Sequence, residues 1–270
     1  MAPPALRARL QALQALVQGR AQGAGDPDAV ALQLDGRCCG SIDPPLAARL
    51  AAAVPGLLLE AEVLRPRAGP CGPAGCSALL EAAARWLVRD GVVPGWRDER
   101  LDVMADDGAL LATVDRCAVR ALGITTRSVR LNGYAAPDRL HVARRSPRKR
   151  VDPGQWDNLA GGLVGAGEGL REAIVRETLE EAGLVIDPAQ LVDGGAWRVC
   201  RRLGDGLLSD VVHVFDLDLA ADTVPVNRDG EVERFDVWDL GRVLSAIEDG
   251  AFTVEASLAL LDTLQRRAAA

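Results

Sequence analysis

Apolar positions change their period several times along the first half of the chain. From Pro4 to Val17, Leu and Ala recur every three or four places among Gln and Arg, which predicts an amphipathic helix. "PPLAARLAAA" and "SALLEAAARWLVRDG" carry the same i, i+3, i+4 stripe and predict two more helices. "DAVALQLDG" and "ERLDVMAD" read as strands, the second running into an Asp-Asp-Gly turn signal. "LLATVDRCAVRALG" reads as a further helix, closed at its C-terminus by Gly123.

Beyond Gly123 the pattern becomes mostly extended. "SVRLNGYA" and "RLHVARRS", separated by "APD", predict a hairpin. "WDNLAGGLV" predicts one strand that enters a glycine-rich loop, followed by a helix from about Leu170 to Ala182 ended by Gly183. "AWRVCRRL" and "SDVVHVFDLDL" predict two strands joined by the turn "GDGL", and "VERFDVWDL" another. Helices near 241–249 and 254–267 follow. The change of texture divides the chain into a small α+β accessory domain over residues 1–122 and a second domain over 123–270. The second is expected to be an α+β sandwich, a mixed sheet with helices on its faces.

Composition narrows the function. Hydrophobic residues at 49% and charged residues at 26% suit a folded globular protein. No apolar run reaches the ~18–20 residues of a membrane span, and "MAPPALRARL" lacks a signal-peptide apolar core, so a cytoplasmic protein without a membrane partner is expected. A net charge of −7 argues against a nucleic-acid binder, and an anionic ligand must meet local Arg or metal ions. The six cysteines show no paired zinc spacing; "CGPAGC" and the rest read as buried or idle thiols. His141 and His213 lie in apolar extended runs and read as structural.

Three glutamates, Glu177, Glu180 and Glu181, fall on the predicted helix 170–182. Like charges three or four residues apart destabilise a helix by about 0.2–0.5 kcal/mol per pair, so an external cation is expected to compensate. At ~100° per residue they share one arc, opposite Val175, Thr178, Leu179 and Ala182. Converging carboxylates suit a hard cation, Mg2+ or Mn2+, and Arg171 and Arg176 are close enough along the helix to pair with some of them. A solvated acidic face would explain the pair Glu180–Glu181 alone. The wider spacing decides otherwise: Gly162, Glu168, Arg176, Glu177, Glu180, Glu181 and Gly183 form G-x5-E-x7-R-E-x2-E-E-x-G. At about 7% per specified residue, a chance match has odds on the order of one in a million.

That pattern is the signature of the Nudix hydrolases, and the sequence resembles them at every invariant position, with Leu184 in the apolar place that follows. Thr178 is the one soft departure, where many members carry an aliphatic residue. The resemblance implies a loop–helix–loop on an α/β/α sandwich that hydrolyses a diphosphate linked to another group. It also implies Glu177 and Glu181 as the first metal ligands, Glu180 as a third ligand or a base, and the carbonyl of Gly161 as a backbone ligand. Glu168 and Arg176 would brace the loop and helix, with Gly162 and Gly183 structural. Many members add an acid from a later loop, and Glu231 and Glu233 are the candidates here.

The flanks "GWRDERLDV", "VDRCAVRALGITTRSVRLNGY" and "VARRSPRKRVDPGQWDNLAGG" resemble the Nudix portion fused to thiamine pyrophosphokinase in some fungi. This likeness runs over about residues 30 to 260 and is strongest from Gly95 to Leu184. It implies a small-molecule substrate, thiamine diphosphate or its oxidised (oxo) derivatives, cut to the monophosphate and phosphate. Arg144 and Arg145 would then contact phosphate, Trp156 stack on the heteroaromatic ring, and Asp157 and Asn158 read its polar edge. The motif leaves ADP-ribose or a nucleotide sugar open as substrate, and a non-catalytic binding module as another class. The accessory domain would cover one side of the pocket or mediate dimerisation, leaving a monomer or a homodimer.

Overall fold

A computed structural model describes residues 3–23 and 28–269. Helix α1 is Pro4–Ala21. Strand β1 (Val30–Leu34) turns into β2 (Arg37–Ile42) at Asp35-Gly36, both left-handed at φ +48° and +78°. Helix α2 (Pro44–Ala53) leads to β3 (Leu57–Glu60) and β4 (Val63–Pro66). These four strands form one sheet in the order β2-β1-β4-β3. Helix α3 (Gly72–Arg89) and the hairpin of β5 (Arg100–Met104) and β6 (Leu110–Asp115) complete this part. One apolar core runs through all of it, centred on Leu32, Leu50, Leu64, Leu80 and Val114.

The helix expected over 110–123 is instead β6 and a short 3-10 turn, Arg116–Ala118. The Asp106-Asp107-Gly108 turn, with Gly108 at φ +82°, sends Leu110–Asp115 back along β5. Pairing across that turn outweighs the helical spacing of Leu110 and Val114. Gly123 does take a left-handed φ of +58°, for a second reason: a Cβ there would stand 1.9 Å from the Ser41 carbonyl oxygen of β2.

A seven-stranded mixed sheet follows. Its path is β11 (Val192–Leu203), β12 (Gly206–Asp218), β7 (Thr125–Ala136), β8 (Arg139–Arg145) and β13 (Val232–Asp239), with β12 parallel to β7. The run expected as one strand from Trp156 is two: β9 (Trp156–Asp157) pairs with β8, and β10 (Ala160–Leu163) pairs with β7. The chain crosses between partners at Asn158, whose buried amide donates to Asn132 Oδ1 at 2.7 Å.

Helix α4 (Leu170–Ala182) covers one face of this sheet, its Ala173 and Ile174 sharing a core with Val129, Leu131 and Phe215. Helices α5 (Leu240–Glu248) and α6 (Val254–Ala269) cover the other. The architecture is therefore a mixed α+β sandwich preceded by an α+β region. Helix α1 departs from an N-terminal unit of residues 1–122: its buried Leu10, Leu13, Val17 and Ala21 share the core of Tyr134, Val243 and Leu261 beside α6. The stripe of α1 finds its apolar partner on a helix more than 230 residues downstream.

Candidate active site

The glycine-rich loop between β10 and α4 is held from both sides. Ala166 N–H donates to the Arg100 carbonyl at 2.9 Å, and Gly167 N–H to the Asp102 carboxylate, both on β5 of the N-terminal region. Gly165 N–H donates to Glu168 Oε2 at 2.8 Å. Helix α4 opens at Gly169, whose N–H is accepted by Glu172 at 2.9 Å, and closes at Gly183 with φ +67°. A Cβ on Gly183 would meet the Val226 carbonyl at 2.7 Å, so this stop needs glycine twice over.

Arg176 ties the loop to the helix. Its Nε and Nη2 donate to the two oxygens of Glu168 at 2.8 and 2.9 Å, and Nη2 also to the Leu163 carbonyl at 3.1 Å. Its Nη1 donates to Glu177 at 2.7 Å and Glu180 at 3.2 Å. Those five contacts match the five N–H groups of a guanidinium. The Arg176 guanidinium holds the Glu168 carboxyl below its ordinary range, and burial, which opposes it, is the smaller effect. Arg171 takes no part, pairing with Asp193 at 2.6 Å and the Leu191 carbonyl beyond the helix.

The helix buries a stripe that includes Glu181, while Leu179 is 37% exposed. The acidic and apolar arcs expected from helical angles therefore overlap. Glu181 is 7% exposed, and Gly161 N–H donates to its Oε2 at 2.8 Å. Burial pushes its carboxyl up to about 8 despite that bond, and Glu177 adds repulsion. Burial also pushes Glu177 up, outweighing Arg176. Gly162 makes room for this group: a Cβ there would lie 2.2 Å from the Glu177 carboxyl carbon. Glu180, by contrast, is half exposed at the rim.

The later loop brings Asp229 and Glu231 to Glu181, with oxygens of all three within 4.8 Å of one another. Sequence alone does not single out Asp229; its one signal is its place two residues before Glu231 in the same acidic loop. Its carboxylate accepts the Glu231 N–H at 2.8 Å and so shapes the loop. Burial pushes Glu231 up, but the Lys149 ammonium bonded to it brings the carboxyl below its ordinary value.

Glu233 stands elsewhere. It sits where the β13–β8 register shifts, exposed and paired with Arg144 at 3.4 Å. Arg144 Nε donates to the Gly154 carbonyl at 3.2 Å, and neither residue lines the cavity described below. Strand alternation sends Arg145 the other way, into the cavity wall, where its donors are taken by Asp157 at 2.8 Å and by the Val151 and Asp152 carbonyls. Trp156, Asp157 and Asn158, expected to read the substrate ring, stand away from the cavity. Trp156 packs on Trp238, centroids 4.3 Å apart; Asp157 is buried between Arg145 and Arg130; Asn158 is 1% exposed. None of the three lines the cavity.

The cavity measures about 580 Å3. Gly161, Gly162, Glu177, Glu180 and Glu231 are in its wall. Alternate residues of β7, Thr126 and Ser128, also line it, with Asp210 of β12 and Glu255 of α6. Asp210 is 5% exposed and accepts the Thr126 hydroxyl at 2.7 Å and the Ser128 hydroxyl. Burial pushes its carboxyl up to about 6. The N-terminal region supplies a wall through Gly95, Arg97, Arg116 and Arg120. Arg116 and Arg120 are paired with Glu99 and Asp205. The donors of the motif are hard carboxylate oxygens, and the space beside Glu177 exists only because position 162 lacks a Cβ. Such a set fits Mg2+ or Mn2+ and would not favour a soft metal.

Residues 127–256 match the sequence model of the family described as NUDIX domain. An uncharacterized protein of Saccharomyces cerevisiae is 30% identical over 192 residues, covering 64% of this chain and 56% of that protein. The Arabidopsis thaliana protein named Nudix hydrolase 20, chloroplastic, is 32% identical over 188 residues, covering 65% of this chain and 49% of its own length. The chain thus spans about half the length of the curated relatives it matches. A solved structure from Deinococcus radiodurans aligns with a TM-score of 0.46 at 25% identity, over 63% of this chain and 99% of that one.

Proposed function

Residues 127–256 form a Nudix domain, and from that premise we propose that the chain is a divalent-metal-dependent diphosphatase. Its substrate in this reading is thiamine diphosphate or an oxidised (oxo) derivative, released as monophosphate and phosphate. One observation supports the proposal: a single cavity is lined both by motif glutamates and by a cluster of polar groups, Asp210, Glu255, Thr126 and Ser128. A metal-bound diphosphate beside the motif glutamates, with a cationic or amino-bearing ring against Asp210 and Glu255, would use that lining. The resemblance of the flanking sequence to the thiamine-linked Nudix portion points the same way.

Glu177 and Glu181, with Glu180 and the Gly161 carbonyl, are the groups that would hold Mg2+ or Mn2+. Held there, such a cation would supply charge neutralisation for the diphosphate and make water easier to deprotonate. Glu231 accepts the proton of the attacking water at its carboxylate, which Lys149 keeps ionised. Arg176 and Glu168 fix the loop against the helix, so the carboxylates are presented without rearrangement. Arg97 and Arg148, which make no ion pair among the described residues, are the cations free to meet outlying phosphate oxygens.

The deciding experiment compares kcat/KM with Mg2+ across thiamine diphosphate, its oxo derivatives, ADP-ribose, a nucleotide sugar and a nucleoside triphosphate. A preference for the thiamine compounds supports the proposal; a preference for ADP-ribose overturns the substrate and leaves the metal site standing. Glu181→Gln separates enzyme from binding module. Loss of a metal ligand should lower kcat by more than about 100-fold, since weaker outer contacts already cost 10–100-fold. Hydrolysis at the parent rate would overturn Glu181 as a metal ligand; a parent chain that binds without turnover, and whose affinity the substitution leaves unchanged, would favour the module.

A further inference from the structure

Outside the cavity, the motif Cys71-Gly-Pro-Ala-Gly-Cys76 folds into a compact group at the start of α3. Cys71 Sγ and Cys76 Sγ lie 2.9 Å apart. That is closer than the ~3.5–4.0 Å of ordinary contact between carbons, which are smaller atoms. It is also closer than the ~3.8 Å between two thiolates sharing one tetrahedral zinc at ~2.3 Å. A covalent sulfur–sulfur bond needs ~2.05 Å, so closing it asks for a shift of roughly 1 Å.

The surroundings hold this geometry in place. Gly72, at φ +63°, turns the chain just after Cys71. Gly75 leaves the room into which the Cys71 side chain folds; a Cβ there would stand 2.8 Å from Cys71 Cβ. Asp35, on the β1–β2 turn, accepts the N–H groups of Cys71 at 2.8 Å and Gly72 at 3.0 Å, and the Cys76 thiol at 3.6 Å. Cys71 is exposed and Cys76 is buried. None of these residues lines the cavity.

We infer that Cys71 and Cys76 form a redox-active dithiol that reacts with low-molecular-weight disulfides of the glutathione type. The Cys71 thiolate attacks the small disulfide, forms a mixed disulfide and expels one thiolate. Cys76 then attacks the Cys71 sulfur, closing the intramolecular bond and expelling the second. The protein loses two protons and two electrons, and the small disulfide takes them up to become two thiols. The order follows from access: Cys71 meets solvent, whereas burial and the neighbouring Cys71 push the Cys76 thiol up.

The test uses the full chain in glutathione buffers from fully reduced to fully oxidised, quenched by acid and alkylated. The tryptic peptide from Ala68 to Arg85 contains both cysteines and no other. In oxidising buffer it should be lighter by two hydrogens and unalkylated, and excess reduced glutathione should reverse this. Cys76→Ser should trap the glutathione adduct on Cys71. Gly75→Ala, checked for fold by circular dichroism, should slow closure at least tenfold by pushing Cys71 aside. The inference is overturned if both thiols stay alkylatable throughout, if the parent chain stops at the adduct, or if zinc alone protects both.

Discussion

Arg176 and Asp210 illustrate how much single residues decide here. Arg176 uses Nε, Nη1 and Nη2 together to reach Glu168, Glu177, Glu180 and the Leu163 carbonyl. A lysine ammonium has three donors and no planar fork, so Arg176→Lys should leave two or more of those acceptors unmet. Turnover should fall by roughly 10–100-fold with the far-ultraviolet circular dichroism unchanged. Asp210 has a folded-state value near 6 against 3.8 for the free group. The native state therefore holds that proton more tightly, and stability attached to this group is lost as pH rises from about 4 to 6. Thermal melts at pH 4.5 and 7 should show a smaller pH dependence in Asp210→Asn than in the parent. The difference should be on the order of 2 kcal/mol; equal slopes would mean that Asp210 is not held this way.

At the scale of elements, β9 and β10 show how pairing redirects side chains. Because the strand breaks at Asn158, Trp156 is turned into the core beside Trp238 and Phe252. Trp156→Ala should cost about 2–3 kcal/mol, somewhat below the 3–5 of a fully buried aromatic. KM for the preferred substrate should not move, because the indole lies outside the cavity; a raised KM with intact stability would return it to substrate binding. The contrast between Glu231 and Glu233 has the same origin. The register shift in β13 leaves Glu233 with Arg144, while the preceding loop carries Glu231 to Glu181.

At the scale of the molecule, the N-terminal region reaches the site in two ways. Its β5 holds the loop before α4 through Ala166 and Gly167, and its arginines form a wall of the cavity. Helix α1 does something different. Leu10, Leu13 and Val17 are buried beside α6, each worth about 1.5–3 kcal/mol if its burial is complete. Deleting residues 1–21 should therefore remove much of a typical stability of 5–15 kcal/mol. The expected outcome is a strongly lowered melting temperature or insoluble chain, although no α1 residue lines the cavity. A truncation that melts like the parent would show that α6 closes the core by itself.

Local pattern determined a great deal by itself. Helices α2, α3, α4, α5 and α6 announce themselves through apolar periodicity, and Gly183 through the helix stop that only glycine makes without strain. The motif spacing named its seven residues because they act over one loop and one helix, where sequence distance and spatial distance nearly coincide. Four things were settled only when the chain closed on itself. These are the strand at β6, the break between β9 and β10, the joining of Asp229 and Glu231 to Glu181, and the union of α1 with α6. Each depends on partners from separate elements, or on pairing that overrides local preference, and no window of sequence contains that information. The acceptor cluster around Asp210 belongs with them, since Ser128 and Asp210 meet only because β7 and β12 lie side by side.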